Sequence, residues 1–584
     1  MNPVFRLCQV FLVVACLAGS SVCAAPAWVA QSDAYTAERL KLGAKFHPEG
    51  AARTGLEGYD ENIVDLVPGF QERFREAQRE LVARYRKALE SETEGNVRQD
   101  LEILIETAEQ QLKLQTLNEK YLVDYYNLPQ MIFGSIRSLI DPQVAKSRHP
   151  AALVRLRKYT GLEGGHRSIF EHAKRETASD LKDEKLIGPY VEELKKDLEN
   201  MPRFISGVRE TFTKSEVNDW EPAVAEFEKQ VTQYAAWLRE NLLPRARKET
   251  RLPEELYAAK LKAVGTTMDP RELISRATAG FMDIRLEMEA IAKRLAKERG
   301  FSSDNYRDVI RELKKEQFTA ENIMAGYRQR LKEIEEIIRK HNIVSLPQRE
   351  AIIRLASEAE SAAQPAPHMR AARLIGNTGE QSEFVLPLKN PNADSTAQMD
   401  DFLNDAIAWT LTVHEARPGH EMQYAKMIEN GVSQARTIYA FNSANVEGWA
   451  LYAEAVMLPY LPLDGQLMSL QMRLLRAARA FLDPMVNLGM TDYKAVHKFL
   501  MSEVVLSEPM ATQEADRYTF RMPGQATAYY FGHMKMQELR ARTELALGDR
   551  FREREFHDFL LTLGLLPPHL TAKAVLEDFV KPRL

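Results

Sequence analysis

The sequence predicts a mainly α fold: a large helical body with one small β-hairpin or sheet beside a cleft. Two observations carry this. Apolar residues recur at helical spacing through densely charged stretches, and a single stretch of the 584 residues switches to short extended runs around an Asn/Gly loop.

The helical elements come in order. From Gly69 to Lys120 the apolar stripe runs through Phe70, Phe74, Leu81, Tyr85 and Leu89, which reads as long amphipathic helices. The pattern resumes over Glu192–Arg247, Arg271–Arg299 and Ala320–Lys340, with breaks expected at Pro202, Pro253 and the turn from Gly265 to Pro270. These stripes read as core packing. The extended runs are Ala371–Ile375 and Ser382–Leu386, joined by Asn377-Thr378-Gly379, and they read as a hairpin. Its edge either pairs with an extended peptide or is plain surface. The one linker-like piece is Ser361-Ala-Ala-Gln-Pro-Ala-Pro367. A boundary near Gly265 is expected to divide an N-terminal helical region, 25–265, from a C-terminal catalytic region, 266–584, the two packing as one body.

The chain begins as an address. Arg6 precedes the apolar run Leu7–Ala18, and small residues end at Val22-Cys23-Ala24, the pattern of a signal peptide spanning 1–24. An alternative takes Val13-Val14-Ala15-Cys16 as a lipoprotein box that leaves Cys16 lipidated. The expected location is periplasmic or secreted, with a lipid-anchored form as the alternative. All three cysteines (Cys8, Cys16, Cys23) fall inside this segment. The mature chain therefore has no disulfide, thiolate ligand or thiol nucleophile, and a transition metal must be held by His, Asp or Glu. Removing Arg6 with the signal leaves 77 basic against 83 acidic side chains, which argues against nucleic acid as a partner. No later segment is apolar for long enough to span a bilayer, and the 45% hydrophobic content can bury a large core.

The chemistry concentrates in Leu411-Thr-Val-His414-Glu415-Ala-Arg-Pro418-Gly419-His420. Metallopeptidases usually place two histidines four apart on one helix face, with a glutamate after the first. Here the second histidine is six places on. On an unbroken helix six residues turn the side chain through roughly 240°, so His414 and His420 could not share an ion. Pro418 has no N–H for the helix ladder and Gly419 tolerates unusual backbone angles, so a break or bulge is expected to swing His420 back. Downstream, Glu447 and Glu454 lie seven apart and so on one helix face, among apolar neighbours. Glu447 is expected as the third ligand, and Glu454 as an acceptor that orients an imidazole.

Taken together, HEARPGH at 414–420, EGWALYAE at 447–454, RYTFRMPGQATAYYFG at 517–532 and FHDFLLTLGLLPPHL at 556–570 resemble domain-of-unknown-function family 885, with a likeness reaching back to about Leu256. That family is similar to helical zinc peptidases such as carboxypeptidase Taq and angiotensin-converting enzyme. The resemblance implies one zinc ion held by His414, His420 and Glu447, Glu415 as catalytic base, and a tyrosine at Tyr529, with Tyr530 as the other possibility. Arg517, Tyr518 and Gln525 are candidates to line the same wall. Where the family is expected to read Asp-x-Gly-x-His, this chain has Asp483-Pro-Met-Val-Asn487, which replaces a candidate substrate-binding histidine with Asn487. The expected activity is peptide hydrolysis on a peptide or small amide substrate. The alternatives are a binding protein of the same fold that has lost turnover, or a zinc amidase or esterase.

Overall fold

Capping residues cut the charged N-terminal stretches into separate helices. The computed structural model describes residues 26–584 except 142–143, 358–359, 362–363, 365, 378 and 389–398. The expected signal segment with Cys16 lies outside the described residues, as does part of the linker-like piece. Helices that frame the site are labelled here in chain order. Between α1 (Phe70–Ser91) and α2 (Gly95–Tyr121), the Glu94 carboxylate accepts the Val97 amide at 2.7 Å and starts the second helix. Helix α3 (Val191–Thr213) runs straight through Pro202, so the break expected there is absent. An interior proline costs a helix about 3 kcal/mol. Here Leu194, Leu198, Met201, Phe204 and Val208 continue one buried stripe across it and hold both halves in the core.

Pro253 stands before α4 (Glu254–Ala263), as expected. Helix α5 (Pro270–Arg299) starts where Asp269 accepts the amides of Arg271 and Glu272 at 2.9 and 3.3 Å, with Pro270 in its first turn, and it stops at Gly300. After α6 (Ile323–His341) comes the sheet: β1 (Ile352–Leu355), β2 (His368–Arg370) and β3 (Glu383–Leu386) in the order β1-β3-β2. The central β3 runs parallel to β1 and antiparallel to β2, with Phe384 opposite both Ile353 and Met369.

The expected hairpin is thus corrected in its first strand. The second run is β3, but its antiparallel partner is 368–370 rather than 371–375. The backbone after Arg370 is satisfied elsewhere: the Ala372 amide donates to Ser382 Oγ, Ile375 N to Thr54 O, and Asn377 Nδ2 to the carbonyls of Arg373 and Glu380. Side-chain bonds of this kind compete with a ladder.

The remaining framing helices are α7 (Asp405–Leu411), α8 (His420–Asn430), α9 (Ser443–Met457), α10 (Leu463–Asn487), α11 (Glu508–Asp516) and α12 (Thr527–Leu547). The main core lies between α5 and α10, where Leu273, Phe281 and Met288 meet Leu467, Leu474 and Phe481, and it extends to Ile407 and Phe531. The N-terminal helices have their own core around Leu128, Phe204 and Phe227. Buried polar ties join the two regions: Asp100 of α2 accepts from Ser433 Oγ at 2.6 Å and from Arg436 Nε at 2.7 Å. Among the described residues no helix is long and apolar enough to cross a membrane.

Candidate metal centre

The backbone path between the two histidines is built from three devices. Helix α7 widens into a π turn over Thr412–Ala416, which carries His414 and Glu415. Arg417 is then extended, as a residue before proline prefers, and α8 begins afresh at His420. Gly419 sits where the chain doubles back: a Cβ there would lie 1.9 Å from the His414 carbonyl oxygen and 2.4 Å from that of Val413. Its φ of -76° is ordinary, so the glycine is required for space rather than for a left-handed angle. The break expected from Pro418 and Gly419 is present, and it starts earlier, at Thr412.

The break brings the rings together, with centroids 4.7 Å apart and nearly perpendicular. Glu447 arrives from α9, which Asn442 starts by accepting the Asn445 amide at 2.8 Å. Its Oε2 is 3.5 Å from His414 Nε2 and 3.4 Å from His420 Nε2, and the three donor atoms all lie within 4.8 Å of one another. Neighbouring ligands bound at about 2.0–2.1 Å around a tetrahedral centre stand roughly 3.3–3.4 Å apart, so the spacing suits a zinc-sized ion. Glu447 Oε2 and His420 Nδ1 are buried without a hydrogen-bond partner among the described residues. Two imidazoles and one carboxylate are also the donor chemistry of catalytic rather than structural zinc. Helix α9 is set against α12 by an approach that only glycines permit: a Cβ on Gly448 would lie 2.6 Å from the Gly532 carbonyl carbon.

Glu454, one further stretch along α9, accepts from His414 Nδ1 at 2.6 Å and is fully buried. That bond fixes the tautomer and leaves Nε2 facing Glu447. Burial alone would push the His414 imidazole down; the Glu447 and Glu454 carboxylates and the Glu415 charge outweigh it, so that it is pushed up to about 9. Glu447, despite its burial, is held well below the usual carboxylate range by the two histidines.

The cluster opens on a cavity of about 1000 Å³ lined by α3 on one side, by His368 and Met369 of β2 with Ala371 just after it, and by α10, α11 and Tyr529 on the others. Glu415 stands at this edge: its Oε2 accepts the Met369 amide at 2.8 Å, and its Oε1 is 4.0 Å from His414 Nε2. Tyr529 also faces the cavity, its hydroxyl accepting from Arg517 Nη2 at 2.8 Å. Gln525 lies behind this pair, its Oε1 accepting from Arg517 Nε at 3.1 Å. Tyr518 is wholly buried and donates to Glu514 at 2.6 Å. Tyr530 points away, with its hydroxyl so close to Gly280 of α5 that a Cβ there would be 1.7 Å from it. Asn487 is buried too and does not line the cavity; its Nδ2 donates to the Tyr518 and Asp483 carbonyls at 2.9 Å. Of the expected residues, His414, Glu415, His420, Glu447, Arg517 and Tyr529 meet in one cleft, Glu454 and Gln525 support it, and Tyr518, Tyr530 and Asn487 belong to the surrounding core.

The family described as bacterial proteins of unknown function (DUF885) matches residues 48–575. The chain belongs to that family. Membership extends some two hundred residues further towards the N-terminus than the motifs from Leu256 onward indicate, so the DUF885 unit includes the helices that form the far wall of the cleft. Among curated proteins none matches the chain. Two solved structures share the fold. A candidate lipoprotein from Colwellia psychrerythraea superposes with a TM-score of 0.76 at 17% identity, covering 93% of this chain and 98% of its own. A candidate lipoprotein of unknown function from Shewanella oneidensis gives 0.70 at 19% identity, covering 95% and 100%.

Sequence reasoning missed the arginines of α10 in this DUF885 chain. Arg479 makes a buried two-pronged pair with Glu514, at 2.7 and 2.6 Å, and its guanidinium lies 4.5 Å above the Tyr529 ring. Arg476 also lines the cavity. Arg473, Arg476 and Arg479 recur every third residue in a helix whose other charged residues are only Asp464 and Asp483, and that spacing is the signal that marks them.

The role of Glu454 is directly testable. Glu454→Gln keeps the volume but weakens the acceptor on His414 Nδ1, and zinc affinity is expected to fall by about 10–100-fold with the fold intact. Competition with a calibrated chelator measures this. An unchanged affinity would show that Glu454 does not orient the imidazole.

Proposed function

We propose that the chain is an exported zinc-dependent peptidase. The observation that carries this reading is the convergence of His414 Nε2, His420 Nε2 and a Glu447 carboxylate oxygen on one point, with Glu415 beside them at the edge of a large cleft. A zinc ion held there would supply Lewis acidity, bringing the pKa of water towards neutrality and polarising a carbonyl.

The chain's own groups carry the other steps. Glu415 accepts the proton of the attacking water and passes it to the leaving amine. Glu454 keeps the His414 ring in place through Nδ1. Tyr529, oriented by Arg517 and packed under Arg479, donates a hydrogen bond to the tetrahedral oxyanion, where such a bond is stronger than in the ground state. His368 and Met369 of β2 line the cleft beside Glu415, and an extended peptide laid along them is the substrate this reading favours over a small amide or ester. Asn487 is buried away from the cleft, bonded to the Tyr518 and Asp483 carbonyls, and takes no part in the proposed mechanism. Export agrees with the descriptions of the two structural neighbours as candidate lipoproteins, and Cys16 is then the residue for a lipid anchor.

The test is metal analysis and cleavage of a mixed peptide library by purified protein and by Glu415→Gln. One zinc per chain is expected in both, with cleavage reduced in the variant by about 10²–10⁴-fold. Unchanged cleavage would remove Glu415 from the mechanism, and a zinc-loaded protein that cleaves no peptide would overturn the peptidase reading.

A further inference from the structure

Among the described residues six lysine and arginine side chains line the cleft: Lys196, Arg203, Arg476, Arg479, Arg517 and Arg521. Five are engaged or solvated. Lys196 pairs with Asp516, Arg203 donates to Asn200, Arg479 is locked on Glu514, and Arg517 serves Gln525 and Tyr529. Arg521 is exposed to solvent.

Arg476 differs. Its side chain is only 6% exposed, yet among the described residues no group accepts from its Nε or Nη1. Its nearest carboxylate oxygen, Glu454 Oε1, is 3.6 Å from Nη2, beyond hydrogen-bond length, and that oxygen is already committed to His414. A guanidinium cannot shed its charge by losing a proton, and burying it without acceptors is costly. Glu454 balances the charge but leaves the donors free. The arrangement is that of a site preorganised for an anion, one helix away from the candidate metal ligands.

We propose that Arg476 is the anion subsite of the cleft and binds a carboxylate of the substrate. This deepens the peptidase reading and rests on it: a carboxylate held so close to the metal cluster places the scissile bond near the peptide's C-terminal end, which makes the enzyme a carboxypeptidase. The same carboxylate chemistry could be presented by an aspartate or glutamate side chain. Arg473, the other arginine near Glu454, does not line the cavity and has no part in the subsite.

The experiment uses three synthetic hexapeptides of otherwise identical sequence: one with a free C-terminus, one amidated, and one amidated with an internal glutamate. Binding is measured calorimetrically on zinc-loaded Glu415→Gln protein, so the readout needs no turnover. The free acid is expected to bind roughly thirtyfold or more tighter than the amide, in line with the loss of one partner of a buried charge pair. Adding Arg476→Gln is expected to bring that ratio close to one with zinc content unchanged. Arg476→Lys, which keeps the charge beside Glu454 but loses the planar fork, is expected to give an intermediate ratio, and it carries the test if the glutamine variant loses zinc or misfolds. If the amidated glutamate peptide binds as tightly as the free acid, the side chain is the source of the carboxylate and the carboxypeptidase assignment falls while the subsite stands. Equal affinity for all three peptides, or a free-acid preference that survives both substitutions, overturns the subsite. Absence of peptide cleavage by the unsubstituted zinc protein would sink the peptidase reading separately, since the binding ratios are read without it.

Discussion

Gly419→Ala is expected to abolish high-affinity zinc binding and to destabilise the protein. The added methyl would stand 1.9 Å from the His414 oxygen, 2.4 Å from that of Val413 and 2.5 Å from the His414 carbonyl carbon. All three are backbone atoms of the π turn that carries His414, so no flexible side chain can yield. Relief requires moving either that turn or the start of α8, and each carries one imidazole of the pair. Ligands must hold position to within about 0.5 Å. The loss in zinc affinity should therefore exceed the roughly 10–100-fold typical of disturbing an outer partner such as Glu454. The stability cost should lie at or above the upper end of the about 1–3 kcal/mol seen for overpacking. Chelator competition and denaturant unfolding of the same preparation read both effects. A variant with unchanged zinc affinity would mean that the two histidines do not depend on this doubling back.

The residues that made the centre legible in the sequence are those whose chemistry restricts the backbone or the role. Pro418 and Gly419 announce a break because neither continues a helix comfortably, and His414, Glu415 and His420 around it have few structural uses as a set. Glu447 and Glu454 were assigned by helical phase and apolar neighbours, and their seven-residue spacing does place both towards His414. The helical stripes were legible for the same reason: a period survives any tertiary context that buries one face.

Features that depend on a distant partner were not legible. Pro202 reads as a helix stop, and only the continuous contact of α3 with its core overrides it. The run 371–375 reads as extended, but pairing is decided by which backbone groups find partners, and here Ser382 and Thr54 accept from its amides while Asn377 donates to the Arg373 carbonyl. Asn487 looked like a missing functional group and proves to be a buried donor to two carbonyls. Tyr529 and Tyr530 are adjacent in sequence, so a motif cannot choose between them; the helix turns one towards Arg517 and the other onto Gly280. The arginines of α10 are marked in the sequence only by their spacing; whether such a charge has an acceptor is a property of the folded neighbourhood alone.

The second large effect is expected at Gly532→Ala, a position outside the proposed ligand set. A Cβ on Gly532 would lie 1.9 Å from the Ala444 carbonyl oxygen, 2.8 Å from the Gly448 Cα and 2.9 Å from the Ala444 carbonyl carbon. Again the obstacle is backbone, this time the first turns of α9, the helix that bears Glu447 and Glu454. Helix α12, which carries Gly532, also carries Tyr529. The two glycines therefore set the distance between the helix of the proposed ligand Glu447 and that of the proposed oxyanion donor Tyr529, and the methyl must wedge them apart. The expected stability loss is again about 3 kcal/mol or more, since overpacking against backbone has no rotamer to relax into. The functional signature differs from that of Gly419→Ala. The two histidines sit on α7's extension and α8, so zinc should be weakened through α9, by way of Glu447 and of Glu454's hold on His414, while the hydrogen bond from Tyr529 is displaced as well. Peptide cleavage should consequently fall by a larger factor than zinc affinity does. Measuring both on one preparation separates these effects: equal losses would mean that the wedge acts only through the metal, and no loss in either would show that the α9–α12 approach does not position the site.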